Sequence, residues 1–301
     1  MPKYLRLFLT GFGMGIADII PGVSGGTIAF IFGIYEELII SIKTVTGEVL
    51  RLAVKGSIVD AIKTIPFGFL IPLFAGIATA ILLLARTLEH LLETQPVFIR
   101  AFFFGLVIAS GYLVSRQIKK WSNKIMLMMI FALALSFVLV GIVPVQTPDT
   151  ALAFFLSGVI AIIAMILPGV SGAFLLLVLG KYNQVLNAVV ELDFLTIGLV
   201  AAGAVLGLAL FSRVLSWLFK YYHNLVVAAL TGLMLGSLRK LWPWKEVLKM
   251  GLDRHGEIVV LQEANILPRT LDAAVFAAVI LTLVGAGIIL YLTKLQEQSK
   301  G

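Results

Sequence analysis

The stretch "ADIIPGVSGGTIAFIFGIY" (17–35) decides how this chain is read, because much of it returns as "MILPGVSGAFLLLVLGKY" (165–182), with the proline displaced by 147 residues. Each copy sets a Pro-Gly pair, a signal that ends or breaks a helix, inside strongly apolar sequence. Composition identifies the solvent. Hydrophobic residues make up 60% of the chain, charged residues 13%, and mean hydropathy is +1.07, all far from soluble globular domains. In lipid the useful unit is a run of about 20 apolar residues, which spans roughly 30 Å at 1.5 Å per residue.

Five such runs are present, at 66–88, 98–116, 124–143, 195–218 and 272–293, with a shorter sixth at 224–238. Two further apolar segments, 4–42 and 151–189, are interrupted at Pro21-Gly22 and Pro168-Gly169 and read as helical hairpins. The predicted fold is an all-α polytopic membrane protein, one transmembrane domain over 1–301. The start "MPKYLRLF" lacks the apolar core and small-residue cleavage site of a secretory signal, so it is expected to belong to the mature protein.

The duplication extends past the signature. With an insertion near 46–65 in the first half, "AGIATAILLLARTL" (75–88) aligns with "AGAVLGLALFSRVL" (202–215), matching Arg86 to Arg213, and 124–143 pairs with 272–293. Each half, 1–145 and 150–301, then holds one hairpin and three spans. An odd number of crossings obliges the second copy to insert upside down, the inverted-repeat plan of many secondary transporters.

The basic loops orient this plan. Lys3 and Arg6, then Lys43 to Lys63, then Arg116 to Lys124 are expected on the cytoplasmic side, whereas 88–96 and 143–150 carry no Lys or Arg. Both termini are therefore predicted to be cytoplasmic, with 143–150 outside. One segment departs from the rule: 239–270 carries six Lys and Arg on the predicted outer side. The net charge of +7 is distributed over such loops and forms no single basic face, so no nucleic-acid partner is expected. Without cysteine there is no disulfide, thiolate metal site or cysteine nucleophile.

A helix break within a membrane leaves backbone N–H groups that lipid cannot satisfy. The groups near Ser24, Gly25, Gly26 and Thr27, and near Ser171 and Gly172, are candidate cradles for an anion, favoured by the helix dipole. Ala173 and Phe174 make the second cradle less polar. The competing interpretation is a kinked helix capped by serine and its neighbours. Arg86 and Arg213, near the ends of long uncharged runs, are candidates to grip a phosphate through bidentate hydrogen bonds, against the alternative of snorkelling to headgroups. Asp18 and Glu36 are candidates to carry a coupling proton. No cofactor is expected, and no metal: His90, His223 and His255 have no ligand spacing.

At these residues, "GFGMGIADIIPGVSGGTIAFIFGIYEELI" (11–39) and "LPGVSGAFLLLVLGKY" (167–182), the chain resembles the PopT family of bacterial and archaeal membrane proteins along essentially its whole length. The resemblance implies a cell-membrane flippase that returns undecaprenyl phosphate, a dianionic head on a hydrocarbon tail, from the outer to the cytoplasmic leaflet. Apolar faces around 101–108 and 174–179 are then candidates to accompany the tail. The rival classes are a small-anion channel or exporter working through the same helix N-termini and, with no nucleophile–base pair to support it, a membrane enzyme acting on lipid phosphates.

Overall fold

The chain is organised by its helix breaks. The computed structural model describes residues 2–20, 23–142, 147–252 and 258–298; the pair Pro21-Gly22 and residues 143–146 of the predicted outer loop lie outside the described residues. The first hairpin consists of α1 (Lys3–Ile19) and α2 (Gly25–Ile31), continued by α3 (Tyr35–Thr44). The insertion folds as a π turn (Val45–Val49) and two short helices, α4 (Leu50–Val54) and α5 (Ile58–Thr64), ahead of α6 (Phe67–Thr94), α7 (Pro96–Ser115) and α8 (Asn123–Leu139). The second hairpin is α9 (Ala151–Ile166) and α10 (Gly172–Val178), continued by α11 (Tyr182–Val190) at 107° to α10. Then come α12 (Phe194–Leu241), the strands β1 (Lys245–Leu252) and β2 (Ile258–Asn265), and α13 (Ala273–Gln298).

Among the described residues α6, α7, α12 and α13 are long and apolar enough to cross a membrane, while α8 and α9 are shorter apolar helices. With 48 residues α12 is two arms, because Tyr222 leaves helical geometry at φ −133°, ψ 37°. Gln95, between α6 and α7, adopts nearly the same angles, φ −133°, ψ 49°. The arms of α12 therefore correspond to the predicted runs 195–218 and 224–238. Large apolar side chains face outward, Leu82 at 84% exposure and Phe131 at 64%, as expected of helices whose solvent is hydrocarbon. Two buried hydroxyls are satisfied by carbonyls one turn back, Ser110 on Leu106 and Thr231 on Val227.

Packing relies on glycine. α1 lies against α6 so closely that a Cβ on Gly11 would strike the Leu73 carbonyl and one on Gly76 the Phe8 carbonyl. The same pair of contacts joins α9 to the first arm of α12, Gly158 with Val200 and Gly203 with Phe155. Lipid tails are as apolar as the helices, so close backbone approach and dispersion replace the hydrophobic drive between them. A second set of contacts crosses between the halves. α7 packs on α13, with Gly105 on the Thr282 carbonyl and the Thr282 hydroxyl donating to Ala101 O at 3.0 Å; α8 packs on the second arm of α12, with Gly232 on the Met129 carbonyl.

Both hairpins turn back toward their own start. Arg6, early in α1, donates to the Phe32 carbonyl at the end of α2 at 2.9 Å, so this residue braces the hairpin in addition to any effect on topology. Lys181, just past α10, is fully buried and donates to Asp149 Oδ1 at 2.7 Å and to the Pro148 carbonyl at 2.9 Å, ahead of α9. Gly33 and Gly180 close α2 and α10 with φ of 68° each, a left-handed conformation that a side chain would strain.

Candidate functional site

The two helix breaks meet. Ser24 caps α2, its hydroxyl oxygen accepting from the Gly26 amide at 3.1 Å and donating to the Met165 carbonyl at 3.3 Å. Tyr35, 2% exposed, donates its hydroxyl to the Ile166 carbonyl at 3.1 Å. These carbonyls belong to the last turn of α9, where the second break removes their partners along the helix. A Cβ on Gly26 would lie 2.7 Å from Ile166 O, so the approach depends on glycine. The N-terminal end of one hairpin helix, with its partial positive charge, thus abuts the C-terminal end of another.

The first cradle already holds a carboxyl group. Gly25 donates its amide to Asp18 Oδ1 at 2.7 Å, and the Thr27 amide bonds Ser24 O at 2.8 Å. The Thr27 hydroxyl is buried and has no hydrogen-bond partner among the described residues. In the second hairpin Ser171 caps α10 by accepting from Phe174 N at 3.3 Å; Gly169, at φ 82°, passes within 2.8 Å of the Met234 backbone if given a Cβ, and Gly172 lies against Ala161 O. Pro168 precedes that turn, whereas Pro21 and Gly22 are outside the described residues.

Beside the meeting point a cavity of about 370 Å³ opens between α1, α3, α6, α9 and α12, its walls including Met14, Leu73, Phe74, Ile162 and Leu208 together with Asp18 and Gly26. The expected tail-facing segment 101–108 does not line it. Ala101, Phe103, Leu106 and Val107 are buried, because α7 is sandwiched between α13 and the second arm of α12.

The other candidates stand apart from the breaks. Arg213 donates to the Ala209 carbonyl in its own helix and to Thr46 O at 3.2 Å in the π turn. Arg86 is exposed and makes no hydrogen bond among the described residues. The equivalence of the two arginines is broken by the insertion, which supplies Arg213 with the Thr46 carbonyl and has no counterpart beside Arg86 among the described residues. Glu36 pairs with His223 at 3.2 Å at the bend of α12.

Sequence reasoning missed Tyr35, Lys181 and a charged cluster on the β-hairpin. Lys245 pairs with Asn265 and Val247 with Glu263, which makes Lys245 and Glu263 diagonal neighbours on one face of the ladder, and the two meet at 3.0 Å. Arg100, from α7, reaches the same carboxylate at 3.4 Å and Lys240 at 3.7 Å. Burial, then the charge of Lys240, pushes the Lys245 ammonium down to about 8. Burial opposes ionisation of Glu263, but the hydrogen bond from Lys245 and the surrounding cations hold its carboxyl below the ordinary value. The available signal was the basic excess of 239–270 in a loop predicted to lie on the outer side, where the charge rule disfavours it.

Residues 14–259 match the family described as VCA0040-like, undecaprenyl phosphate translocase-like. The chain is 40% identical over 304 residues to a protein of Vibrio cholerae serotype O1 named polyprenyl-phosphate transporter, covering 98% of each. It is 30% identical over 259 residues to a Staphylococcus aureus protein of the same name, covering 80% of this chain and 87% of that one. No solved structure matches it. With the duplicated Pro-Gly signature inside the matched region and a relative aligned from end to end, the chain belongs to the undecaprenyl phosphate translocase-like family.

Proposed function

We propose that this protein carries polyprenyl monophosphates, undecaprenyl phosphate among them, from the outer to the cytoplasmic leaflet of a prokaryotic cell membrane by alternating access, with its halves inserted as inverted repeats and both termini in the cytoplasm. Family membership and the names of both relatives support the substrate class. The duplicated glycine contacts, the matching bends at Gln95 and Tyr222, and the paired turns at Gly33 and Gly180 support the repeat.

The observation that carries the reading is the seat of Asp18 on the Gly25 amide where the hairpins meet. There a carboxyl oxygen sits on a backbone amide beside an apolar cavity, the pairing that a phosphate head with a hydrocarbon tail requires. Protonation of Asp18 withdraws the competing charge, and the phosphate takes the amides and hydroxyls of Ser24, Gly25, Gly26 and Thr27, while its tail follows the cavity toward lipid. Ser171 and Gly172 serve the opposite access state. Arg86 and Arg213 engage the phosphate toward the two ends of its path, Arg213 after release from Thr46. Glu36, paired with His223, is a second candidate for the coupling proton. The chemistry is binding and release, with no bond made or broken in the substrate.

The test is leaflet exchange of labelled undecaprenyl phosphate in proteoliposomes, with and without a proton gradient. Wild type should accelerate exchange and respond to the gradient; Asp18→Asn should keep exchange and lose the response. Absence of exchange with correctly inserted wild type refutes the reading, and an unaltered gradient response in Asp18→Asn refutes the role of Asp18.

A further inference from the structure

The cluster on the β-hairpin has more positive charge than the described residues around it neutralise. Lys245, with a side chain only 6% exposed, and Arg100 and Lys240, at 25% and 28%, converge on the single carboxylate of Glu263, itself 18% exposed. Arg100 uses Oε1, and both lysines share Oε2. Three cations against one anion leave a net charge of +2, and among the described residues no other acidic side chain pairs with any of the three. Withdrawing such charge from water is costly unless an anion compensates it. The donors are also in excess, since the guanidinium has five N–H groups and each ammonium three.

The neighbourhood selects among anions. Lys240 Nζ lies 5.4 Å from the ring centre of Phe174, the residue whose amide caps onto Ser171 in the second hairpin. Trp242, two residues further on, packs edge-on against Phe104 at 5.6 Å and against Trp244 at 5.8 Å. Cations therefore adjoin an aromatic shelf at the end of the molecule where α7 begins and the second arm of α12 ends. A ligand with a charged head and an apolar body fits that pairing; a fully hydrated ion has no use for the shelf.

We propose that Arg100, Lys240 and Lys245 form a docking site for the phosphate monoester of a lipid, reached before the hairpins and bordering the second one through Phe174, with Glu263 occupying it in the ligand-free protein. The proposal rests on the function given above for its lipid, and on the cluster alone for its residues. Arrival of the phosphate displaces Glu263 from part of its donors, so the internal carboxylate acts as a competitor that keeps the cations apart from unselected anions.

Binding to the full chain in phosphatidylcholine nanodiscs tests it, with farnesyl phosphate, inorganic phosphate and phosphatidylglycerol as probes in separate titrations. Farnesyl phosphate should bind to wild type, and Arg100→Gln and Lys245→Met should each weaken it about 10-fold or more, the loss of one charge-assisted contact. Glu263→Gln should tighten it several-fold, a gain that a purely structural ion pair does not produce. Inorganic phosphate binding as tightly as farnesyl phosphate overturns the lipid assignment, and so does equal binding of the phosphodiester phosphatidylglycerol. Unchanged affinity in Arg100→Gln and Lys245→Met, or weaker binding in a folded Glu263→Gln, overturns the site. Lys240→Gln leaves Glu263 two cations and keeps the question open to measurement should Lys245→Met fail to insert; its affinity should also fall. Leaflet exchange separates the two readings: wild type that binds through the cluster and moves no lipid refutes transport alone, and cluster variants that transport and bind normally refute the docking site alone.

Discussion

Tyr35 and Tyr182 occupy matching positions in the two signature copies, yet the structure assigns them different energies. The Tyr35 hydroxyl satisfies the Ile166 carbonyl at 3.1 Å in a site where the tyrosine is 2% exposed, and its ring packs on Phe30 and Phe219 at 5.1 and 5.9 Å between centres. Tyr35→Phe keeps the ring contacts and strands a buried acceptor at the broken end of α9. That should cost about 1–3 kcal/mol, which lowers the folded-to-unfolded ratio roughly 5- to 150-fold. Tyr182 is 39% exposed and its hydroxyl has no partner among the described residues, so Tyr182→Phe should stay within about 0.5 kcal/mol of wild type. Reversible unfolding of both variants in mixed micelles measures the difference. Equal losses at the two positions, or none at Tyr35, would refute the claim that the first hairpin satisfies the carbonyls opened by the second break.

The glycine contacts give a graded series. Gly76→Val and Gly203→Val push a side chain into the Phe8 and Phe155 carbonyls and should each destabilise by about 1–3 kcal/mol or more, whereas Gly198→Ala, with nothing within 4 Å of the added carbon, should gain about 0.5–1 kcal/mol from helix propensity; similar thermal stability for all three would contradict this packing. Lys245 titrates near 8, below its unfolded value, so between about pH 8 and the ordinary lysine range the unfolded chain binds more protons and the ligand-free protein should become more stable as pH rises. Bound phosphate favours the charged ammonium, so its affinity should fall as pH climbs through 8; a flat affinity from pH 7 to 10 would exclude Lys245 from the contact. For topology, a cysteine placed at Pro148 should react with impermeant maleimide from outside intact cells, and labelling from the cytoplasmic side alone would reverse the assigned orientation.

Much of this protein is written locally. The membrane class follows from apolar runs long enough to cross lipid, and the helices α6, α7, α8 and α13 overlie those runs because backbone groups in hydrocarbon have helix as their nearest source of partners. The hairpins were legible from Pro-Gly in apolar surroundings. The candidate site was legible only in part. Ser24 and Ser171 are caps as their positions implied, but nothing local says that Asp18 turns onto the Gly25 amide, or that a tyrosine shared by both copies is a buried donor in one and half exposed in the other. The charged cluster was visible only as an anomaly: Arg100 and Glu263 are 163 residues apart, and their meeting depends on the packing of α7 against α13.

Sequence alone determined the solvent and the long apolar helices, since both rest on hydrophobicity and helix-breaking residues within tens of residues, and its self-similarity supplied the repeat now proposed; the β1–β2 hairpin and the short helices α4 and α5 were not legible in it. Tertiary structure decided which breaks satisfy each other, where the cavity lies, and why Arg213 is tied to Thr46 while Arg86 is free among the described residues. The physical reason is that a carbonyl or charge removed from water must find a partner, and in this chain those partners stand on segments that only the packed helices bring together.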